Sequence, residues 1–348
     1  MQNRVVNKAE NIAGFRTLLK CPNCREPGTL DFGANLTQCV KCGASFSARG
    51  GILDFVAGRD NTALNVLAYD KEKHVSLEAS LRLFDHLKRI AGGIFPDSLG
   101  EILEIGAGTG LLTLGMLSSK EFDRAVITDI SPEMLGVCRA RLEESLSLEK
   151  ISRIFLATYS GREEIFGDGA YDLCIANSVV HHILDYPAFF ANMRKALKPA
   201  GMALFVEPVA PFHDSMTLAM NDALAYLLGR GADLSPRDVR VLAHWISERR
   251  SGLMFPNEVT LSREDKHLFW RNDLECAAHE AGFASLTVLP WHFDPLGLST
   301  LQNYANGLGL SQPFREIFFP SYKKFAAYHF RNIAEDDLSS MYVIAMRA

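Results

Sequence analysis

Two groups of residues have the types and spacing for chemistry. The first is four cysteines within 22 residues, Cys21-Pro-Asn-Cys24 and Cys39-Val-Lys-Cys42. Each Cys-x-x-Cys pair can form a knuckle that turns two thiolates onto one metal ion, and the 14 residues between the pairs suffice for a hairpin that brings them together. Four soft ligands in a closed tetrahedron suit zinc, and a site with no open position is structural rather than catalytic. The alternative is two disulfides. Against it, Cys138, Cys174 and Cys276 stand singly in apolar or helical contexts, as buried free thiols do in a reducing compartment. The second group is Glu101-Ile-Leu-Glu104-Ile-Gly106-Ala107-Gly108-Thr-Gly110. Three alternate glycines let a backbone turn sharply and approach a ligand with no Cβ in the way. A dinucleotide site would space its third glycine one residue later, and the acid Glu104 suits a cationic or amine-bearing ligand better than a phosphate. Downstream, Asp129 can accept the hydroxyls of a ribose. His181, His182, Glu207 and His213 are the candidate proton-handling groups.

These residues need an alternating α/β framework to hold them. Ile102–Ile105 is a short apolar strand that runs into the glycines, and a helix is expected over 111–118. Ala125–Asp129 is a second strand ending in the acid. Ser131-Pro132-Glu133 then opens a helix as N-cap, N1 and first-turn acid, with Met134, Leu135, Cys138 and Leu142 at helical spacing. The 348 residues are 48% hydrophobic and 22% charged, which is enough for a real core and excludes a disordered or collagen-like chain. Formal net charge is −5, so no global basic field points to nucleic acid or an anionic membrane. No apolar run approaches the ~18 residues that span a bilayer. Met1–Lys20 has scattered charges and no apolar stretch, so a signal peptide is not expected and a cytoplasmic location is.

In this order the motifs resemble class I S-adenosylmethionine-dependent methyltransferases. Glu104-x-Gly106-x-Gly108-x-Gly110 matches the family's first motif and Asp129 its ribose acid. Tyr171-Asp172-Leu-Cys-Ile-Ala-Asn177 with His181-His182 matches the fourth strand and its loop, and Gly201–Glu207 the fifth strand. Arg271–Phe283 and Ser340–Arg347 match the last helix and strand. The resemblance covers roughly 65–348. It implies a Rossmann-like seven-stranded sheet of order 3-2-1-4-5-7-6 with the last strand antiparallel, and a cofactor site of Tyr69, Glu104, Gly106, Ala107, Gly108, Gly110, Asp129, Ile130, Met134, Thr158 and Asn177. The implied cofactor is S-adenosyl-L-methionine, with S-adenosyl-L-homocysteine as product. At one point the sequence departs from the pattern. The acid that meets the adenine amino group after the third strand is absent, and Thr158 stands there. The four cysteines followed by Gly51-Ile52-Leu53-Asp54-Phe55 resemble the zinc ribbon of the Trm112-like family.

Two units are therefore expected, a zinc ribbon over 1–58 and a methyltransferase domain over 59–348. Inserts at about 209–266 and 292–337 are expected to fold as a helical lid. One carries Met216, Met220, Leu224 and Leu227 on a helical stripe; the other carries Phe314, Phe318, Phe319, Tyr322, Phe325, Tyr328 and Phe330. So apolar a lid favours a small, partly hydrophobic acceptor, with transfer to O, N or C left open, as is the oligomeric state. Two other readings stand. Residues 1–50 carry +4 and the remainder −9, and a basic ribbon before such a domain also resembles ribosomal-RNA guanine methyltransferases; the acidic body argues against nucleic acid. The other is a catalytically silent scaffold, against which the intact glycine loop and Asp129 speak.

Overall fold

The structure is a computed structural model that describes residues 13–33, 35–56, 66, 70, 75–254 and 265–348. It divides into two compact units. The first takes the chain to Phe205 together with Glu275–Thr287 and Ile344–Ala348; the second is Val206–Leu274 and Val288–Val343.

The first unit is built on a sheet whose central strands are β5 (Glu101–Ile105), β6 (Arg124–Asp129), β7 (Ile154–Thr158) and β8 (Tyr171–Asn177). β5 pairs in parallel with β6 and β8, and β6 with β7. These strands are buried on both faces almost throughout, which is why they read as unbroken apolar runs rather than as alternations. With β9 (Leu197–Pro208), β10 (Ser285–Pro290) and β11 (Met341–Arg347), the strand order is β7-β6-β5-β8-β9-β11-β10, the expected 3-2-1-4-5-7-6. Ala348 N–H meets Gly201 O and Val209 N–H meets Ser340 O, so β11 runs antiparallel to β9. The expected total of seven is corrected, because the sheet has eleven strands. The other four, β1 (Leu30–Phe32), β2 (Leu36–Cys39), β3 (Ser45–Arg49) and β4 (Ile52–Leu53), come from the cysteine segment. β4 pairs in parallel with β7, Ile52 opposite Leu156 and Leu53 opposite Ala157.

The N-terminal segment is fastened at a second place. Lys20 N–H donates to Ile165 O, Gly167 N–H to Leu18 O, and the Tyr171 hydroxyl to Leu18 O at 2.6 Å. Phe15 and Phe32 pack on Phe155 of β7 with centroids 5.3 and 5.4 Å apart. A segment too small to bury a core of its own borrows the sheet's.

Helices α1 (Leu77–Ala91) and α2 (Leu111–Ser119) pack together, and α3 (Pro132–Ser145) follows β6. α3 starts where the capping residues predict: the Ser131 hydroxyl accepts Met134 N–H, Pro132 is the first residue, and the buried face is Met134, Leu135, Cys138 and Leu142. A short α4 (Leu148–Ser152) precedes β7, and α5 (Tyr186–Ala196) precedes β9.

The second unit holds both inserts. α6 (Ala210–Gly229) packs on α10 (Gln312–His329) and on α7 (Pro236–Met254). Met216, Met220, Leu224 and Leu227 are buried on α6, as are Phe314, Phe318 and Tyr322 on α10. Of the aromatic run, Phe314, Phe318, Tyr322 and Phe330 are core, Phe319 and Phe325 are half-buried, and Tyr328 is exposed. Phe212 meets Phe330 edge-on at 5.3 Å, Tyr226 meets Phe325, and Phe314 stacks on Phe318. α9 (Leu298–Gly307) also lies in this unit, and α8 (Arg271–Glu280) begins in it. Among the described residues no helix is long and apolar enough to cross a membrane.

Gly115 shows how tightly α1 and α2 approach. A Cβ there would lie 2.1 Å from Ser80 O. Gly115→Ala gains about 1 kcal/mol of helix propensity but must push two helix backbones apart, an overpacking cost of about 1–3 kcal/mol or more. The net expectation is a lower urea midpoint with unchanged slope; a rise in midpoint would contradict this packing.

Candidate functional site

The glycine loop leaves β5 at its carboxyl end and caps α2. Gly106, Gly108 and Gly110 all have left-handed φ, +67°, +54° and +96°, a region that penalises side chains. A Cβ on Gly106 would also lie 2.3 Å from Val179 Cγ2, so the loop after β8 passes directly over it. Ala107 N–H donates to Thr128 O at 2.8 Å, and Gly108 N–H to Asp129 Oδ2 at 2.8 Å. Asp129 Oδ1 accepts Ser131 N–H at 2.9 Å. Burial raises the Asp129 carboxyl, and the backbone N–H groups of Ser131, Gly108 and Ile130 pull it back. These bonds leave lone pairs on a carboxylate that has about four acceptor positions. Ile130 beside it is an exposed apolar side chain, whereas Met134 is buried.

Glu104 is the less usual acid. It is 1% exposed, its Oε2 has no hydrogen-bond partner among the described residues, and burial pushes its carboxyl up to about 8, with the nearby Asp129 charge adding to the rise. A buried acceptor without a donor, beside a loop of alternate glycines, fits a cation or an amine as its missing partner.

At the next strand the structure corrects an expectation. The Thr158 hydroxyl, expected to meet an adenine, donates to Asp54 Oδ1 at 2.6 Å and accepts the N–H groups of Phe55 and Val56 at 2.9 and 3.2 Å. One donor and two acceptor positions are all that a hydroxyl has, so Thr158 is saturated by the N-terminal segment. Asn177 ends β8 and is partly exposed. Ser178 after it has φ +58°, and the chain turns through Val180–His182. His181 is buried and His182 exposed, with ring centroids 4.0 Å apart; His182 is near enough to Asp129 to lower that carboxyl. Tyr69 lies outside the described residues.

Glu207 and His213 belong to the second unit. Glu207 is fully buried. His213 Nε2 donates to Ser340 O at 2.9 Å, while Nδ1 accepts the Tyr304 hydroxyl at 3.2 Å. The imidazole therefore ties α6 to α9 and to the start of β11, with both ring nitrogens engaged.

The four N-terminal cysteines are gathered, all sulfurs within 4.8 Å of one another. Cys21 and Cys42 are 3.7 Å apart, Cys24 and Cys39 3.6 Å. A tetrahedron with bonds of ~2.3 Å has edges of about 3.8 Å, so the thiols can hold one ion. Asn23 Nδ2 donates to Cys42 Sγ at 3.3 Å.

Residues 103–203 match the profile of a methyltransferase domain family. Over that stretch the chain is similar to a methyltransferase domain. A highly reducing polyketide synthase of Emericella nidulans is 34% identical over 113 residues, 31% of this chain and 4% of the synthase. The polyketide synthase component of the compactin nonaketide synthase of Penicillium citrinum is 36% identical over 103 residues, 29% of this chain and 3% of the synthase. The chain thus spans only a few per cent of these relatives' length. Among solved structures, a phosphoethanolamine N-methyltransferase 2 of Haemonchus contortus, in complex with phosphomonomethylethanolamine and S-adenosylhomocysteine, is 17% identical with a TM-score of 0.46, covering 82% of this chain and 57% of that one.

Around the methyltransferase domain's glycine loop, motif reading missed one supporting pair. Arg141 of α3 makes a bidentate bond to Asp70 at 2.6 and 2.7 Å and donates to Thr109 O at 2.9 Å. It holds Asp70 beside the loop, and it lowers the Asp70 carboxyl. Arg141 stands on the third turn of a helix with nothing local to mark its partner, so only three-dimensional contact reveals it.

Burial of Glu104 predicts a pH dependence. Unfolded, the carboxyl loses its proton near its ordinary value of 4.5; folded, it holds the proton up to about 8. Its contribution is therefore fully present below 4.5, is lost as pH rises to about 8, and is level above. Glu104→Gln lacks this loss. In urea unfolding of the ligand-free protein, the variant's stability relative to wild type rises across that window by on the order of a few kcal/mol; a pH-independent difference would contradict the assignment.

Proposed function

We propose that this chain is an S-adenosylmethionine-dependent methyltransferase that moves a methyl group to an O, N or C nucleophile of a small, partly hydrophobic molecule. The observation that carries the reading is the coupling of the glycine loop to Asp129 through Gly108 N–H, with the orphaned Glu104 oxygen behind it. The residues fit a cationic nucleoside: Asp129 for ribose hydroxyls, Glu104 for the amine end, Gly106 to Gly110 for close approach, Ile130 for the face of a base. When bound, S-adenosylmethionine supplies an electrophilic methyl on a sulfonium. The protein's part is to hold both reactants in line and keep water away. A base is needed only where the acceptor carries a proton of high pKa. His182, exposed beside Asp129, is then the proton acceptor we favour, with His181 packed under it. Glu207 stays a candidate for acceptor binding, while His213, both nitrogens engaged, acts by positioning α6. The relatives are polyketide synthases by name, which supports an acceptor from small-molecule biosynthesis.

The RNA reading loses support from the ion pairs of the cysteine segment. Arg16 pairs with Asp31, Lys20 with Asp168, Arg25 with Glu164 and Lys41 with Glu26, so these cations are already neutralised. In calorimetry, S-adenosylhomocysteine is expected to bind the wild type with micromolar affinity and Asp129→Ala at least about 100-fold more weakly, the cost of two charge-assisted hydrogen bonds. Equal binding by both proteins would overturn the ribose assignment, and no binding by the wild type would favour the silent scaffold.

The cysteine cluster is proposed to hold one structural zinc ion in a Trm112-like ribbon. Metal analysis of the purified protein should find one zinc per chain. Cys24→Ala should abolish it and lower the melting temperature of the first unit, because metal binding supplies folding free energy to so small a segment. A metal-free wild type with unchanged melting would refute the assignment.

A further inference from the structure

The second unit holds a cavity that the cofactor reading does not use. It has a volume of about 440 Å³ and is bordered by one face of α7 and by Leu308, just past α9. Val241, Trp245 and Arg249 stand at four-residue intervals on that face, so their side chains line up along the helix. Leu242 and Ile246, one position further on, are buried and fasten α7 to the core of the unit. The cavity is held to shape by polar contacts at its end and an aromatic one behind it. Arg237 donates to Gly309 O at 2.6 Å, and the fully buried Asp238 carboxylate takes the Ser311 N–H and hydroxyl. These bonds set the spacing between α7 and the turn from α9 to α10. Tyr304 packs on Trp245 with ring centroids 4.8 Å apart, and the Tyr304 hydroxyl is engaged by His213 Nδ1.

We propose that this cavity binds a small apolar carboxylic acid, with its hydrocarbon among Val241, Trp245 and Leu308 and its carboxylate on Arg249. The inference goes beyond the cofactor reading and does not rest on it. A cavity of this size with apolar walls and one well-placed charge suits a small organic ligand, and Arg249 selects the head group. Its guanidinium lies over the Trp245 ring, 5.4 Å from the centroid, and its side chain is 30% exposed. The nearest acid, Asp265, is 3.8 Å away, too far for a hydrogen bond. Among the described residues no acceptor takes the Arg249 N–H groups. A guanidinium has five donors in a fixed fork that matches a carboxylate. Two acids also border the cavity, Glu248 and Asp265. Both have further partners in the chain, and the Asp265 side chain is 47% exposed, so solvent screens its charge. His244, also at the border, is exposed. A ligand ammonium would seek the face of the indole, where Arg249 already stands. The charge with open hydrogen-bonding capacity is therefore the cation, and an anionic head completes it.

The test uses three probes with one ring system: naphthoate, naphthamide and naphthylmethylammonium. Calorimetry on the full chain should show the wild type binding naphthoate about tenfold or more tighter than the amide, as a bidentate charge-assisted pair allows, and the ammonium most weakly. Arg249→Gln should bring naphthoate down to the level of the amide. Arg249→Lys keeps the charge without the fork and should retain part of the preference, giving a second reading should Arg249→Gln fold poorly. Arg250 does not border the cavity and donates to Asn221 Oδ1 at 3.0 Å, so Arg250→Gln should leave the preference intact. Leu308→Trp, which fills the cavity, should weaken all three probes together. The inference is overturned if no probe binds the wild type, if the ammonium binds as well as naphthoate, if Arg249→Gln keeps the preference, if Arg250→Gln removes it, or if Leu308→Trp changes nothing. S-adenosylhomocysteine binding is measured on the same protein, so the cofactor reading stands or falls separately.

Discussion

The hydrogen bond from Gly108 N–H to Asp129 Oδ2 joins two strand ends that the sheet sets side by side. It matters because neither partner is stable in place alone. A buried carboxylate in an apolar sheet needs donors, and the loop that supplies one can do so only in a left-handed conformation that glycine tolerates. The loop shape, the burial of the acid and the position of α2 are thus one solution. Val179, in the loop after β8, then closes over Gly106.

Parallel register carries that constraint across the rim. β5, β6, β7 and β4 each end at the same level, so Gly106, Asp129, Thr158 and Asp54 line up although they lie up to 104 residues apart. The cysteine segment owes its place to the same pairing. It lacks a core, and it acquires one by laying Phe15 and Phe32 on Phe155 and its last strand on the β7 edge. The pairing also covers an edge that would otherwise expose unpaired backbone groups.

The parts of this arrangement that were legible in the sequence are those governed by local rules. Ser131-Pro132-Glu133 marks a helix start whatever the tertiary context, and the α3 face of Met134, Leu135, Cys138 and Leu142 follows from the helical repeat. The order of the seven core strands is what the family resemblance implies, and that resemblance rests on motifs in series. The four added strands were not, because β4 is two residues long and its partner lies a hundred residues away; pairing of that kind has no periodicity. For the same reason Thr158 was assigned to a ligand. Its position on the rim could be read, but the three partners that saturate it come from residues 54–56. His213 was likewise placed near the end of β9, and only packing shows its two nitrogens held by Tyr304 and Ser340.

The electrostatics of the rim have a common sense of sign. Asp129 and Glu104 are both buried and both raised by desolvation, and the Asp129 charge raises Glu104 further. Two such acids in a neutral pocket would be a poor use of a sheet's carboxyl edge, since an unpaired buried acceptor costs about 1–3 kcal/mol. The neighbours soften them unequally: three backbone N–H groups lower Asp129, while Glu104 has the Thr113 side chain and its Oε2 is left without a donor among the described residues. A site arranged in this way loses its internal conflict when a positive group settles beside Glu104. It gains nothing from a phosphate, whose charge would add to that of the acids. The two carboxylates therefore favour a positive partner, which accords with the sulfonium nucleoside proposed for the site.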